Sequence, residues 1–279
     1  MQKPEWLRVK HRHSPELETV ENIISSFGLN TICKEANCPN YLECFSKKTA
    51  TFMILGAVCT RNCRFCNVRH DIPAHVDKDE PERIAEAVKV LGLQYVVITS
   101  VTRDDLPDGG AEQFFRAVGA LRKINPYTTV EVLIPDFLGD KSALERVIES
   151  KSDVISHNME TVASKYADAR PEANYRRSLG VIERIAMEPN IRSKTGIMLG
   201  LGETKREVLE LFDDLRGVGC EFLTIGQYLA PTRNHYPIHE YISPEKFDEY
   251  KHEAYAKGFA FVASAPFVRS SYRAGEAIT

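Results

Sequence analysis

Thr51-Phe-Met-Ile-Leu55-Gly56-Ala-Val-Cys59-Thr-Arg-Asn-Cys63-Arg-Phe65-Cys66 joins an apolar run directly to three thiols. A β-branched and aromatic run closed by a glycine predicts a buried strand, so the thiols lie on a loop leaving its C-terminal end. Three cysteines on one short loop are ligands. A structural zinc site is closed by four protein ligands, whereas an iron–sulfur cubane held by three thiolates keeps one iron open. The loop therefore suggests a cluster with a vacancy. With His70 as a fourth ligand, the same thiols would close a zinc site instead.

Working outward, the chain of 279 residues is long enough for one large α/β domain or two small ones. Hydrophobic residues at 43% and charged residues at 27% are ordinary for a globular protein. Lysine and arginine number 36 against 39 acidic residues, a formal charge of -3, so no global field draws a polyanion and nucleic-acid binding is not indicated. A local exception, Arg8-Val-Lys10-His11-Arg12-His13, has the charge to dock an acidic partner. No stretch approaches the roughly eighteen apolar residues of a membrane helix, and Met1 to Trp6 lacks a signal-peptide core. The expectation is a cytoplasmic protein with reduced thiols and no membrane partner. Six of the seven cysteines fall between Cys33 and Cys66, which points to metal rather than disulfides; Cys220 reads as a buried core thiol.

Before Thr51 a helical stripe of Val20, Ile23, Ile24 and Phe27 predicts a helix around Thr19 to Phe27. After Thr51 strand-like runs recur at Tyr95–Thr99, Val130–Ile134, Val154–His157, Gly196–Leu199, Phe222–Ile225 and Phe259–Val262. Helical spacings lie between them: Ile84, Ala87, Val88, Leu91; Phe114, Ala117, Val118, Leu121; Val208, Leu211, Phe212, Leu215. Ser243-Pro244 starts a further helix that Gly258 ends. Strands separated by single helices are parallel and curl into a barrel or a doubly wound sheet; periodicity does not choose between them. Both place ligands at the C-terminal strand ends, where the unusual residues gather.

Asp104-Asp-Leu-Pro-Asp-Gly109-Gly110 follows the second strand, and its glycine pair either lets backbone approach a ligand or caps a helix. Asn158 and Glu160, after the fourth strand, offer an amide and a carboxylate to a ribose or methionyl group, though Asn is also a common turn residue. Arg170 can grip a carboxylate through two hydrogen bonds or form a surface ion pair. Gly200-Leu-Gly202 is too short for a dinucleotide fingerprint. His235 is read as structural, and Met159, Met187 and Met198 as core or pocket filler.

The spacing of Cys59, Cys63 and Cys66, with Phe65 before the last thiol, resembles the radical S-adenosylmethionine enzymes. A second cassette, Cys33-Lys-Glu-Ala-Asn-Cys38-Pro-Asn-Tyr-Leu-Glu-Cys44, together with Arg269-Ser-Ser-Tyr272, resembles the lipoyl synthase family over nearly the whole chain. The resemblance implies an α/β fold, a partial (β/α)6 TIM-type barrel over residues 51–265, with extensions 1–50 and 266–279 carrying an auxiliary cluster. It implies a 4Fe-4S cluster on Cys59, Cys63 and Cys66, a second on Cys33, Cys38, Cys44 and Ser271, and S-adenosylmethionine near Phe65, Gly109, Gly110, Asn158, Glu160 and Arg170. The activity implied is insertion of two sulfurs, at C6 and C8, into an octanoyl chain on a lysine of a lipoyl carrier domain. The carriers would be 2-oxoacid dehydrogenase E2 subunits and the glycine cleavage H protein. An electron donor such as flavodoxin or ferredoxin, and an iron–sulfur carrier, would serve it. Two other readings stand beside this one. One is a sulfur-inserting synthase acting on biotin precursors, which has no need of the first cassette or Ser271; the other is an electron-transfer or zinc-stabilised binding module.

Overall fold

The computed structural model describes residues 2–8, 15–46 and 50–278. Most of the basic run beginning at Arg8 lies outside the described residues. The N-terminal extension supplies α1 (Pro15–Ser26), β1 (Asn30–Thr31), α2 (Ile32–Glu35) and α3 (Tyr41–Ser46). Helix α1 starts four residues earlier than its stripe implies, and it buries Leu17, Val20 and Ile24.

From Thr51 the expected alternation follows. Strand β2 (Thr51–Ile54) leads to two short strands, β3 (Val58–Cys59) and β4 (Arg69–His70), that pair with each other on either side of the cysteine loop. Then come α4 (Glu80–Leu91), β5 (Tyr95–Ser100), α5 (Ala111–Ile124), β6 (Thr129–Leu133), α6 (Lys141–Ile148) and β7 (Val154–Ser156). The second half holds α7 (Tyr166–Ala169), α8 (Tyr175–Ala186), β8 (Arg192–Leu199), α9 (Lys205–Gly217), β9 (Phe222–Gln227), α10 (Pro244–Ala256) and β10 (Phe261–Ser264).

The sheet order is β1-β2-β5-β6-β7-β8-β9-β10, with β1 antiparallel and every later pairing parallel. Edges at β1 and β10 are not paired with each other, so the sheet is an open, partial barrel of α/β type. Because successive strand residues point to opposite faces, the contacts sort inside from outside. Val96, Ile98, Val130, Val132 and Ile155 pack with α4, α5 and α6 in one apolar core, and Ile197, Leu199, Leu223, Ile225 and Val262 pack with α9 and α10 in another. Tyr95, Glu131 and Lys194 therefore face the bore. Lys194 on β8 reaches Glu131 on β6, two strands away, with Nζ at 2.9 and 2.8 Å from its two oxygens, and Tyr95 donates to the same carboxylate at 2.6 Å. Contact across an intervening strand is what curling brings about.

Local chemistry explains the ends. Thr204 and Glu207 form a capping box at α9, and Ser243 caps α10. The last strand begins two residues later than the run Phe259–Val262 suggests. Gly258, in the left-handed region, turns the chain out of α10, and Phe259 is buried edge-on against Phe212 as part of the core.

Candidate functional site

The loop from Cys59 to Cys66 leaves the C-terminal end of β2, as expected, and is held from several sides. Thr60 donates both its backbone N–H and its hydroxyl to Thr102 O. Arg61, buried, donates to both oxygens of Asp104 (2.6 and 2.9 Å) and to Asp136 (2.6 Å), and Arg177 closes on the other oxygen of Asp136 (2.7 Å). Burial alone would raise the Asp136 carboxyl, but the two guanidinium partners overcome it and bring it down to about 2. His235 bonds Thr232 and reaches Cys66 O at 3.2 Å, fastening the following loop to the cassette, the structural part expected of it. This clamp of two arginines and two aspartates escapes a motif reading, although an arginine between two cysteines of the loop is its visible signal.

Around the thiols stand the residues from the β7 end. Burial pushes the Cys63 thiol upward against the neighbouring charge of Arg170, with Glu160 adding to the rise. Burial pushes Cys66 up to about 12, and Cys63, Cys59 and Glu160 act in the same direction. Glu160 has φ of 65°, rare for a side chain other than glycine. It is held there by bonds from its own N–H to Gly196 O (2.9 Å) and from Met198 N–H to its carbonyl (2.8 Å). Asn158 donates to Glu160 Oε1 at 2.9 Å. Arg170 is buried and donates from Nη1 to Asn158 O, Met159 O and Tyr166 OH, while its Nε has no partner among the described residues. Phe65 packs with Met198, Ala169, Tyr228 and Tyr236.

Gly109 and Gly110 lie on the loop between β5 and α5. A Cβ at Gly110 would meet Leu55 Cδ1 at 2.2 Å and one at Gly109 would meet Phe137 Cδ1 at 2.9 Å. Gly110, at φ 90°, is the N-cap of α5. Their freedom from a side chain permits this close packing and the helix cap. Gly200-Leu-Gly202 is self-contained, since Glu203 accepts from the N–H groups of Gly200 and Leu201. Of the methionines, Met159 is core and Met198 is half-buried, but Met187 is 66% exposed just after α8 and fills no pocket. Cys220 is buried core as expected.

The first cassette lies at the opposite end of β2. Burial pushes the Cys33 thiol up to about 11, against the lowering influence of the backbone and side chain of Thr51, the first residue of that strand. Cys33, Cys38, Cys44, Asn40, Arg269, Ser271 and Tyr272 line one cleft with about 280 Å³ of unfilled space, part of it open to solvent. The tail reaches it through anchors on the extension. Asn40 donates to Phe267 O at 2.7 Å, and Tyr272 donates to the Glu43 carboxylate at 3.1 and 3.2 Å. Gly226 admits the tail, for a Cβ there would sit 2.0 Å from Val268 O.

These donor sets fit clusters better than a single ion. None of the seven cysteines forms a disulfide, and among the described residues no three histidine, cysteine, aspartate or glutamate side chains converge on one metal ion. His70 is exposed, so the four-ligand zinc site is not formed. A cubane takes its thiolates at separate corners, and four donors around a cleft suit that. Buried thiols that hold their protons tightly need a soft cation in exchange for it. The partnerless Arg170 Nε beside Glu160 and Cys63 is the kind of orphan donor that a carboxylate-bearing cofactor satisfies.

Comparisons with known proteins agree. The profile of the radical SAM superfamily matches residues 53–215. The chain is 56% identical over 277 residues to the lipoyl synthase of Alkaliphilus metalliredigens, covering 99% of this chain and 96% of that one. It is 55% identical to the lipoyl synthase of Caldicellulosiruptor saccharolyticus, covering 98% and 96%. Among solved structures, Streptococcus suis SuiB bound to S-adenosylmethionine superposes with a TM-score of 0.60 at 12% identity, covering 88% of this chain and 54% of that one. HydG, a maturase of the [FeFe]-hydrogenase, gives 0.56 at 14% identity, covering 89% and 70%. At such identities these two speak for the fold.

Proposed function

Since this chain belongs to the lipoyl synthase family, within the radical S-adenosylmethionine superfamily, we propose that Cys59, Cys63 and Cys66 hold one 4Fe-4S cluster and that Cys33, Cys38, Cys44 and Ser271 hold the other. The activity is insertion of two sulfur atoms, at C6 and C8, into an octanoyl chain on a lysine of a lipoyl carrier domain. The bound groups supply what no side chain can: a 5′-deoxyadenosyl radical that takes hydrogen from unactivated carbon, and sulfide from the auxiliary cluster.

The chain's own residues bind, orient and shield. Arg170 presents its free Nε, and Glu160 its carboxylate, to the charged ends of S-adenosylmethionine, with Asn158 steadying Glu160. Phe65 and its aromatic neighbours Tyr228 and Tyr236 wall the same site with apolar surface. The Arg61 clamp fixes the cysteine loop against the β5 and β6 ends. Ser271, a single hydroxyl among thiols, is the weakest of its four ligands for iron, so that corner opens most readily. Gly109 and Gly110, on the loop that carries Asp104, let its backbone approach the amino group of S-adenosylmethionine while packing closely on Phe137 and Leu55. E2 subunits and the glycine cleavage H protein fit as carriers, with a flavodoxin- or ferredoxin-type donor and an iron–sulfur carrier as accessory partners.

The observation that carries this reading is the cleft shared by Cys33, Cys38, Cys44 and Ser271, residues up to 238 positions apart in sequence (271 − 33). It also favours lipoyl synthesis over the biotin-precursor reading, which has no use for those four residues. The test is anaerobic incubation with an octanoyl-lysine peptide, dithionite and S-adenosylmethionine, followed by mass analysis and iron counting. Two added sulfurs and two cubanes are expected from wild type. Ser271→Ala should lose auxiliary iron and lipoyl product while Cys63→Ala loses cleavage of S-adenosylmethionine. Unchanged product from Ser271→Ala would refute the assigned ligand.

A further inference from the structure

The tail that carries Ser271 is tied to the other site by its neighbour. Ser270 Oγ donates to Asn158 Oδ1 at 2.9 Å, and Asn158 Nδ2 donates to Glu160 Oε1 at 2.9 Å. The joint is tight. A Cβ on Gly196 would meet Ser270 Oγ, Thr224 Oγ1 and Asn158 Oδ1 at 2.7, 2.8 and 2.9 Å, so the strand leaves no slack around the pair. Arg269 adds a second tie, its charge facing both Cys38 and Glu160. The second carboxylate oxygen of Glu160 accepts no hydrogen bond from the described residues, so a cationic ligand can engage it without breaking the bond from Asn158.

We propose that Ser270 is a positioning residue that couples S-adenosylmethionine binding to the ordering of the tail bearing Ser271, through the bridge Ser270–Asn158–Glu160. This rests on the cofactor site argued above. A ligand seated on Glu160 fixes that carboxylate and through it the amide of Asn158. Ser270 then donates to an ordered acceptor, and Ser271 is held at its cleft. Coupling of this kind is reciprocal: whatever protection the ligand gives the tail, the ordered tail returns as affinity for the ligand.

The experiment uses the full chain with both clusters assembled, and reads hydrogen–deuterium exchange of tail peptides with and without saturating S-adenosylmethionine. Titration calorimetry gives the affinity. In wild type the ligand slows tail exchange by about two- to tenfold, the worth of one hydrogen bond. Ser270→Ala brings that ratio to about one and weakens the affinity by a similar factor. Asn158→Asp keeps the acceptor for Ser270 but removes the donor to Glu160, and at saturating ligand it uncouples the tail in the same way. A variant that merely loosens the fold exchanges faster with and without ligand and keeps the wild-type ratio; that result overturns the proposal. So does a wild-type tail that ignores the ligand although both clusters are present and the ligand binds. A wild-type protein that binds no S-adenosylmethionine overturns instead the reading on which this rests.

Discussion

His157 makes stability depend on pH in a way that can be isolated. Its ring is 1% exposed at the end of β7, with Nδ1 2.9 Å from Ile134 O and Nε2 3.0 Å from Ser178 Oγ. A carbonyl only accepts, so Nδ1 carries the proton and Nε2 accepts from the serine. Burial, and then the charge of Arg170, lower its pKa from 6.5 to about 4. Below 6.5 the unfolded chain takes up a proton that the folded one refuses, so the stabilisation is complete above pH 6.5 and is lost as pH falls toward 4. Between pH 7 and pH 5 the loss is roughly 2 kcal/mol, because each tenfold rise in proton activity below pH 6.5 favours the unfolded chain by about 1.4 kcal/mol. Carboxylates titrate over part of that range as well, and His157→Gln removes only the imidazole. Thermal unfolding of wild type and variant at matched cluster content should show a Tm gap that shrinks by about 4 °C or more from pH 7 to pH 5. A gap constant across that range would refute the assignment of a neutral, buried imidazole.

Lys194→Met strands Glu131, 0% exposed, with Tyr95 as its one remaining partner among the described residues, and should cost about 3–5 kcal/mol in unfolding measurements; adding Glu131→Leu should recover much of it. Gly226→Ala drives a Cβ onto the Val268 carbonyl, and iron analysis should show loss from the first cassette with the Cys59–Cys66 cluster retained. Arg61→Gln leaves Asp136 with the Arg177 guanidinium and the Leu138 N–H, and anaerobic iron titration should show weaker assembly on Cys59, Cys63 and Cys66, by about tenfold or more.

Much of this was legible because the chemistry is local in sequence. Both cassettes announce themselves by spacing, and the βα alternation follows from patterns of two and of three to four residues. The strand boundaries that shifted did so for tertiary reasons: Phe259 belongs to the core under α10 rather than to β10. Sequence could name Asn158, Glu160 and Arg170 but not the backbone strain at Glu160 or the orphan Nε of Arg170, which arise from packing. The Glu131–Lys194–Tyr95 triad was invisible for a different reason. Its members come from three strands, and nothing in a run such as Thr-Val-Glu-Val-Leu says that its one carboxylate faces the bore.

The placement of the cassettes explains why the bore contains polar groups where a parallel barrel would ordinarily be filled with branched apolar side chains. Strand β2 has four residues, so its two ends are about 13 Å apart at 3.3 Å per residue. On the proposed ligand assignment a saturated chain meets one centre at each end, which needs a passage along the inner face. Gly196 and Gly226 supply room on the opposite strands, and the tail from Val268 to Ser271 takes up part of it. An open passage would admit water, which competes for reactive species. The ion pair of Glu131 and Lys194, joined by Tyr95, occupies the bore, and the Arg61 clamp ties together the loops at the C-terminal strand ends. Each group satisfies its charges internally, so neither leaves a buried charge in need of solvent. The same residues that cost desolvation to bury thus line the interval between the two cysteine cassettes.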